Sequence, residues 1–163
     1  MNAVKMLKDD HEKVKGLFRQ YEGAGERAHQ KKQQLAQEIF TELELHSKLE
    51  EEIFYPAAKA KGSKDLKEVV DEGLEEHHVV DTLIQELKAM DLSTSHDQYE
   101  AKIKVLIENV EHHIEEEEGE LLPEAEKKLG KEVETLGTEM EQRKTQLMQA
   151  MSGGMGGSAS SIR

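Results

Sequence analysis

Apolar residues recur every three or four positions along four stretches of the chain, the spacing that lines one face of a helix. The first stretch reads Val4, Leu7, His11, Val14, Phe18, Tyr21, and the second Leu35, Ile39, Leu43, His46, Glu50, Ile53. The third reads Val70, Leu74, His77, Val80, Ile84, Leu87, and the fourth Tyr99, Ile103, Leu106, Val110, His113, Glu117, Leu121. Breaks rich in Gly and Ser separate them: "GAG" at 23–25, "KGS" at 61–63, "DLSTS" at 91–95 and "LG" at 129–130. Ser63 suits the cap of the third helix, and Ser95 with Gln98 has capping-box spacing for the fourth. A weaker stripe, Val133, Leu136, Met140 and Leu147, predicts an accessory helix over 131–151 that docks on the others or forms an oligomer contact. The last residues, 152–163, read "SGGMGGSASSIR", a flexible-linker composition expected to be disordered.

The stripes repeat. "HSKLEEEIFYP" from residue 46 aligns with "HIEEEEGELLP" from residue 113, pairing His46 with His113, Glu50 with Glu117, Glu51 with Glu118 and Pro56 with Pro123. Further upstream, His11 pairs with His77, Val14 with Val80 and Leu17 with Leu83. Two copies of one helical hairpin are therefore expected, packed as an antiparallel up-down-up-down four-helix bundle about an approximate two-fold axis. The fold class is all-α.

Each stripe carries one histidine, and the second and fourth add a glutamate four residues later. Residues four apart share a helix face, so His46 with Glu50, and His113 with Glu117, converge with His11 and His77 near the bundle axis. A lone histidine on an apolar stripe is ordinarily a satisfied core residue. Four in register with two glutamates, repeated internally, are a different matter. Two unpaired carboxylates in a core would cost several kcal/mol each, whereas one or two divalent cations would neutralise them and take up the imidazole nitrogens. The candidate metal ligands are His11, His46, Glu50, His77, His113 and Glu117. Glu51 and Glu118, present in both copies, stand as outer supports or alternative ligands. Tyr55, matched by Leu122 in the second copy, reads as packing, although a phenol beside a metal would matter. His29, His78, His96 and His112 lie off the stripes and read as solvated, as do Glu115 and Glu116.

Composition narrows the classes. Aromatics make up 4% of the chain against 35% charged residues, which favours amphipathic helices over sheets. The formal charge of −13 repels phosphate backbones and anionic lipid, so neither nucleic acid nor membrane is an expected partner. The first residues, "MNAVKMLKDDHEK", contain no signal-like apolar run, and a cytoplasmic location is expected. There is no cysteine, so redox chemistry would have to use nitrogen and oxygen ligands.

His11, "HSKLE" at 46–50, His77 and "HIEEE" at 113–117, in this order, resemble the haemerythrin-like HHE cation-binding domains over roughly residues 1–127. Mixed N and O ligands admit iron, zinc or manganese; the resemblance implies two non-haem iron ions bridged by carboxylates and an oxygen atom, with no haem or nucleotide. It also implies that the four histidines are terminal ligands and Glu50 and Glu117 the bridges. Ferritin-like bundles instead use Glu-x-x-His, the reverse order. Oxygen-carrying haemerythrins have a further histidine four residues before the third-helix ligand, where this chain has Gly73. Their last ligand is an aspartate five residues after its histidine, where this chain has Glu117 four after His113. The implied function is binding or sensing of a small diatomic or peroxide (O2, NO, H2O2) or of iron. Turnover of hydrogen peroxide or nitric oxide is the enzymatic alternative, and a metal-stabilised interaction bundle the third. At Gly73 either the missing side chain leaves a coordination position open or the glycine permits close helix packing.

Overall fold

A computed structural model describes the backbone of residues 1–161 and the side chains of residues 1–152. Among the described residues there are helices and turns and no strand. The chain runs α1 (Ala3–Gly23), α2 (His29–Leu49), a π turn (Glu50–Phe54), α3 (Tyr55–Lys61), α4 (Lys64–Lys88), α5 (His96–Glu116), a second π turn (Glu117–Leu121), α6 (Leu122–Leu129) and α7 (Glu132–Ser161). Each π turn runs directly into the next helix, so α2 with α3 and α5 with α6 are continuous rods.

Local chemistry sets these limits. Asn2 caps α1 through its side-chain oxygen, which accepts from the Val4 and Lys5 amides at 2.8 and 3.3 Å. Ser63 caps α4, accepting from Leu66 N–H at 3.3 Å. Ser95 holds the N-cap position of α5, but its hydroxyl makes no cap bond, so the expected capping box is not formed. The preceding turn is closed instead by Asp91, which accepts from the Ser93 amide and hydroxyl at 2.9 and 2.7 Å. Gly130, with φ of 54°, ends α6.

The core forms two clusters with a polar layer between them. One holds Val14 to Tyr21 of α1, Leu35 to Leu43 of α2, Val80 to Leu87 of α4 and much of α5. The other holds Ala3 to Leu7, Leu49 to Ala58, Leu66 and Val70, and Leu121 to Leu129. Successive helices thus enter from opposite ends, which is the antiparallel up-down-up-down bundle. The second cluster is completed by α7, whose Val133, Leu136 and Met140 are buried and whose Leu147 is partly so. Gly137 lets α7 approach the N-terminal backbone, since a Cβ there would lie 1.6 Å from the Met1 carbonyl oxygen. Of the segment expected to be disordered, 152–163, the backbone is helical to Ser161, while Ile162 and Arg163 lie outside the described residues. No helix among the described residues is long and apolar enough to cross a membrane.

Candidate metal centre

The polar layer lies where the two core clusters meet. His11, Glu50, His77, His113 and Glu117 are buried, and the His46 side chain keeps 11% of its surface. All six residues singled out by the repeat converge here. His11 Nε2 lies 3.0 Å from Glu117 Oε1, His46 Nε2 3.3 Å from Glu50 Oε1, His77 Nε2 3.0 Å from Glu50 Oε1, and His113 Nε2 3.2 Å from Glu117 Oε2. Two overlapping sets of donor atoms result, His11/His46/Glu50/Glu117 and Glu50/His77/His113/Glu117, each with its atoms within 4.8 Å of one another. Both carboxylates belong to both sets.

The other side of each imidazole is held by an acid. His11 Nδ1 lies 2.6 Å from Glu118, His77 Nδ1 2.7 Å from Glu51, His46 Nδ1 3.0 Å from Asp10 and His113 Nδ1 2.6 Å from Glu76. A carboxylate only accepts, so each Nδ1 carries a proton, which leaves Nε2 as the nitrogen that faces the centre and the one a metal would take up. The outer acids obey the repeat as well: Glu51 matches Glu118, and Asp10 matches Glu76. Sequence reasoning named the first pair and missed the second, although an acid immediately before the first inward histidine of each hairpin was the available signal.

Tyr55 also enters the layer. Its hydroxyl donates to Glu117 Oε2, lies 3.3 Å from Glu50 Oε1, and stands 3.5 Å from Nε2 of both His77 and His113. The π turn puts it there. Five residues beyond Glu50, an α-helix would carry position 55 well round the axis; the wider turn, closed by Tyr55 N–H to Glu50 O, brings it back over Glu50. Pro56, lacking an N–H and crowding the carbonyl four residues earlier, favours that widening, and Pro123 does so in the second copy. The same turn buries Phe54 where the stripe had placed Ile53 inward. In α4, likewise, Gly73 is buried and Leu74 only partly so. A Cβ on Gly73 would meet the Tyr55 hydroxyl at 3.1 Å, so the phenol fills the space that the missing side chain leaves. That contact supports the close-packing account of Gly73.

The residues fit metal ions. His11 Nε2, His46 Nε2, Glu50 Oε2 and Glu117 Oε1 are buried with no hydrogen-bond partner, a costly state unless something else satisfies them. The electrostatics agree. Burial lowers the basicity of His113, but Glu117 and Glu76 outweigh it and push its pKa up to about 10. Burial likewise works against His46 and His77, yet Glu50 and Asp10 raise the first and Glu50 and Glu51 the second. Burial raises Tyr55 further, helped by Glu50 and Glu117, so its phenol stays protonated. Without a cation the buried carboxylates keep protons on His46, His77 and His113; a cation would take their place.

The remaining histidines lie elsewhere. His78 and His112 are exposed, and His112 with Glu76 and Glu116 makes a surface grouping. His29 and His96 pack ring to ring at 4.8 Å at the far end of the bundle. Buried Lys32, there too, is satisfied by Glu100 at 3.1 Å and lies 5.1 Å from the centre of the Tyr21 ring.

A four-helix bundle holding a buried His4Glu2 cluster defines the molecule as a cation-binding helical protein. The Hemerythrin HHE cation binding domain family matches residues 2–125, and the chain belongs to that family. A solved structure of a haemerythrin HHE cation-binding domain-containing protein from Mycobacterium kansasii superposes with a TM-score of 0.75, at 26% identity over 93% of each chain. An uncharacterised protein of Mycobacterium tuberculosis is 30% identical over 76% of this chain and 71% of its own length. A protein of Nostoc named DNA nickase is 28% identical over 94% of this chain. The chain spans 42% of the length of that relative.

Proposed function

We propose that the chain binds two iron ions, with His11 and His46 serving one, His77 and His113 the other, and Glu50 and Glu117 bridging. The observation that carries this is the sharing of both carboxylates by both donor sets. Six donors are too many for one tetrahedral ion, and membership of the family favours iron. Bound there, two irons supply the redox chemistry by which O2, NO or H2O2 is engaged. The chain's own residues hold the imidazoles from behind, exclude bulk water and keep the Tyr55 hydroxyl donating to Glu117. Binding or sensing is the first reading, and turnover of peroxide or nitric oxide by the same centre the second. Protein from iron-supplemented cells should contain two irons per chain and show near-ultraviolet charge-transfer absorption when oxidised. Peroxide consumption measured on that material separates binding from turnover. One zinc per chain, with no uptake of iron on reconstitution, would sink the diiron reading. The Nostoc relative raises nicking of DNA as a distinct activity; with a charge of −13, the iron-loaded chain is expected to leave supercoiled plasmid intact.

A further inference from the structure

On the side of the imidazoles away from Tyr55, the bundle contains a small void. One helical turn from each histidine stand Val14, Leu43, Val80 and Val110, three residues after His11 and His77 and three before His46 and His113. In an antiparallel bundle those offsets fall in one layer. This layer and the four imidazoles line a cavity of about 30 Å³. One water needs about 10–15 Å³, so the void suits a diatomic or a peroxide and nothing much larger.

The layer obeys the two-fold repeat, but its seal does not. Val14 and Val110 each keep 4% of their surface, whereas Leu43 keeps 7% and Val80 8%. Outside Leu43 and Val80 a groove of about 380 Å³ runs between α2 and α4. Groove and void share four lining residues: Leu43, Ser47, His77 and Val80. Two aliphatic side chains and a serine thus stand between solvent and the Nε2 side of the centre. The opposite end is closed by Tyr55 against Gly73.

We propose that small uncharged ligands reach the centre along the α2/α4 groove, between Leu43 and Val80, into this void, and that these two side chains set the rate of entry. The ligand class rests on the function proposed above; the route rests on the cavity alone. Two measurements on the full chain keep those claims apart. In protein kept free of paramagnetic metal, dissolved O2 should speed relaxation of the Val80, Leu43 and Val110 methyls well beyond that of Leu136 and Val133, which keep 8% and 6% of their surface in the other cluster. In iron-loaded protein, Val80→Phe should slow NO association about tenfold and Val80→Ala speed it severalfold, with iron content and melting temperature retained; Val110→Ala, on the sealed side, should change it less than twofold. O2-induced relaxation no greater at Val80 than at Leu136 overturns the route, as does an equal response of the Val80 and Val110 variants. Absence of NO binding by iron-loaded protein refutes the ligand class, and the methyl relaxation still decides the route.

Discussion

Each imidazole in the centre has one carboxylate in front of it and one behind, and the two should respond differently to substitution. Glu50 and Glu117 belong to both donor sets, so Glu50→Ala or Glu117→Ala should abolish binding of at least one ion. Glu118, Glu51, Asp10 and Glu76 touch only the Nδ1 side, fixing ring and tautomer. Neutral, nearly isosteric changes there, such as Glu118→Gln or Glu76→Gln, should leave the fold intact and weaken metal affinity roughly 10–100-fold. Glu116→Ala, beside the centre but on the surface, should change neither; chelator competition measures all of these. If Glu118→Gln held metal as tightly as the unmodified chain, the outer acids would be ornaments of the surface and the account of the tautomer would fail. The six inner residues were legible because they interrupt an apolar period at repeating positions. Asp10 and Glu76 were not, because an acid next to an inward histidine looks solvated until the neighbouring helix brings His46 or His113 within reach of it.

At the scale of the element, the two π turns explain what periodicity could not show. A 3.6-residue stripe carried past Glu50 places Ile53 inward, yet one extra residue in the turn buries Phe54 and Tyr55 instead. The paired prolines, Pro56 and Pro123, were visible in the repeat, but a proline marks an interruption without saying whether the helix ends, kinks or widens. Gly73 follows from the same event. Its counterpart in the first hairpin is Leu7 and that of Tyr55 is Leu122, so where one pair of matching positions holds two leucines the other holds a large and an absent side chain. Both leucines are fully buried in one cluster. Gly73→Ala would ordinarily gain about 1 kcal/mol of helix propensity. Here the new Cβ stands 3.1 Å from a phenol oxygen held by Glu117 and 3.5 Å from two imidazoles, which cannot retreat. Gly73→Ala should therefore destabilise by about 1–3 kcal/mol in denaturant unfolding. Tyr55→Phe, which forfeits a buried hydrogen bond to a charged group, should cost about 1.5–3 kcal/mol. The double variant should lose less than the sum, since removing the hydroxyl relieves the crowding. Strict additivity would show that Gly73 and Tyr55 do not compete for one space.

Across the whole molecule, an approximate two-fold axis relates two halves that differ in the groups around the centre. Tyr55 stands 3.5 Å from both histidines of the second donor set, while Leu122 occupies the matching position of the other half. Docking of α7 adds a second asymmetry: Lys144 reaches Asp10 at 3.2 Å and so bears on His46, whereas Glu76, its counterpart behind His113, faces His112 and Glu116. A lysine on Asp10 draws that carboxylate away from the imidazole and makes His46 a poorer donor, whereas Glu76 holds His113 at 2.6 Å with no lysine upon it. The two ions should therefore be inequivalent despite identical sets of two histidines and two shared glutamates. Mössbauer spectra of the iron-loaded oxidised chain should resolve two quadrupole doublets of equal area. Lys144→Gln should move one of them, with Tyr55→Phe moving the other. A single doublet in the unmodified chain would mean that the symmetric inner residues outweigh both perturbations. A single doublet that split only in the variants would place the asymmetry somewhere other than Tyr55 and Lys144.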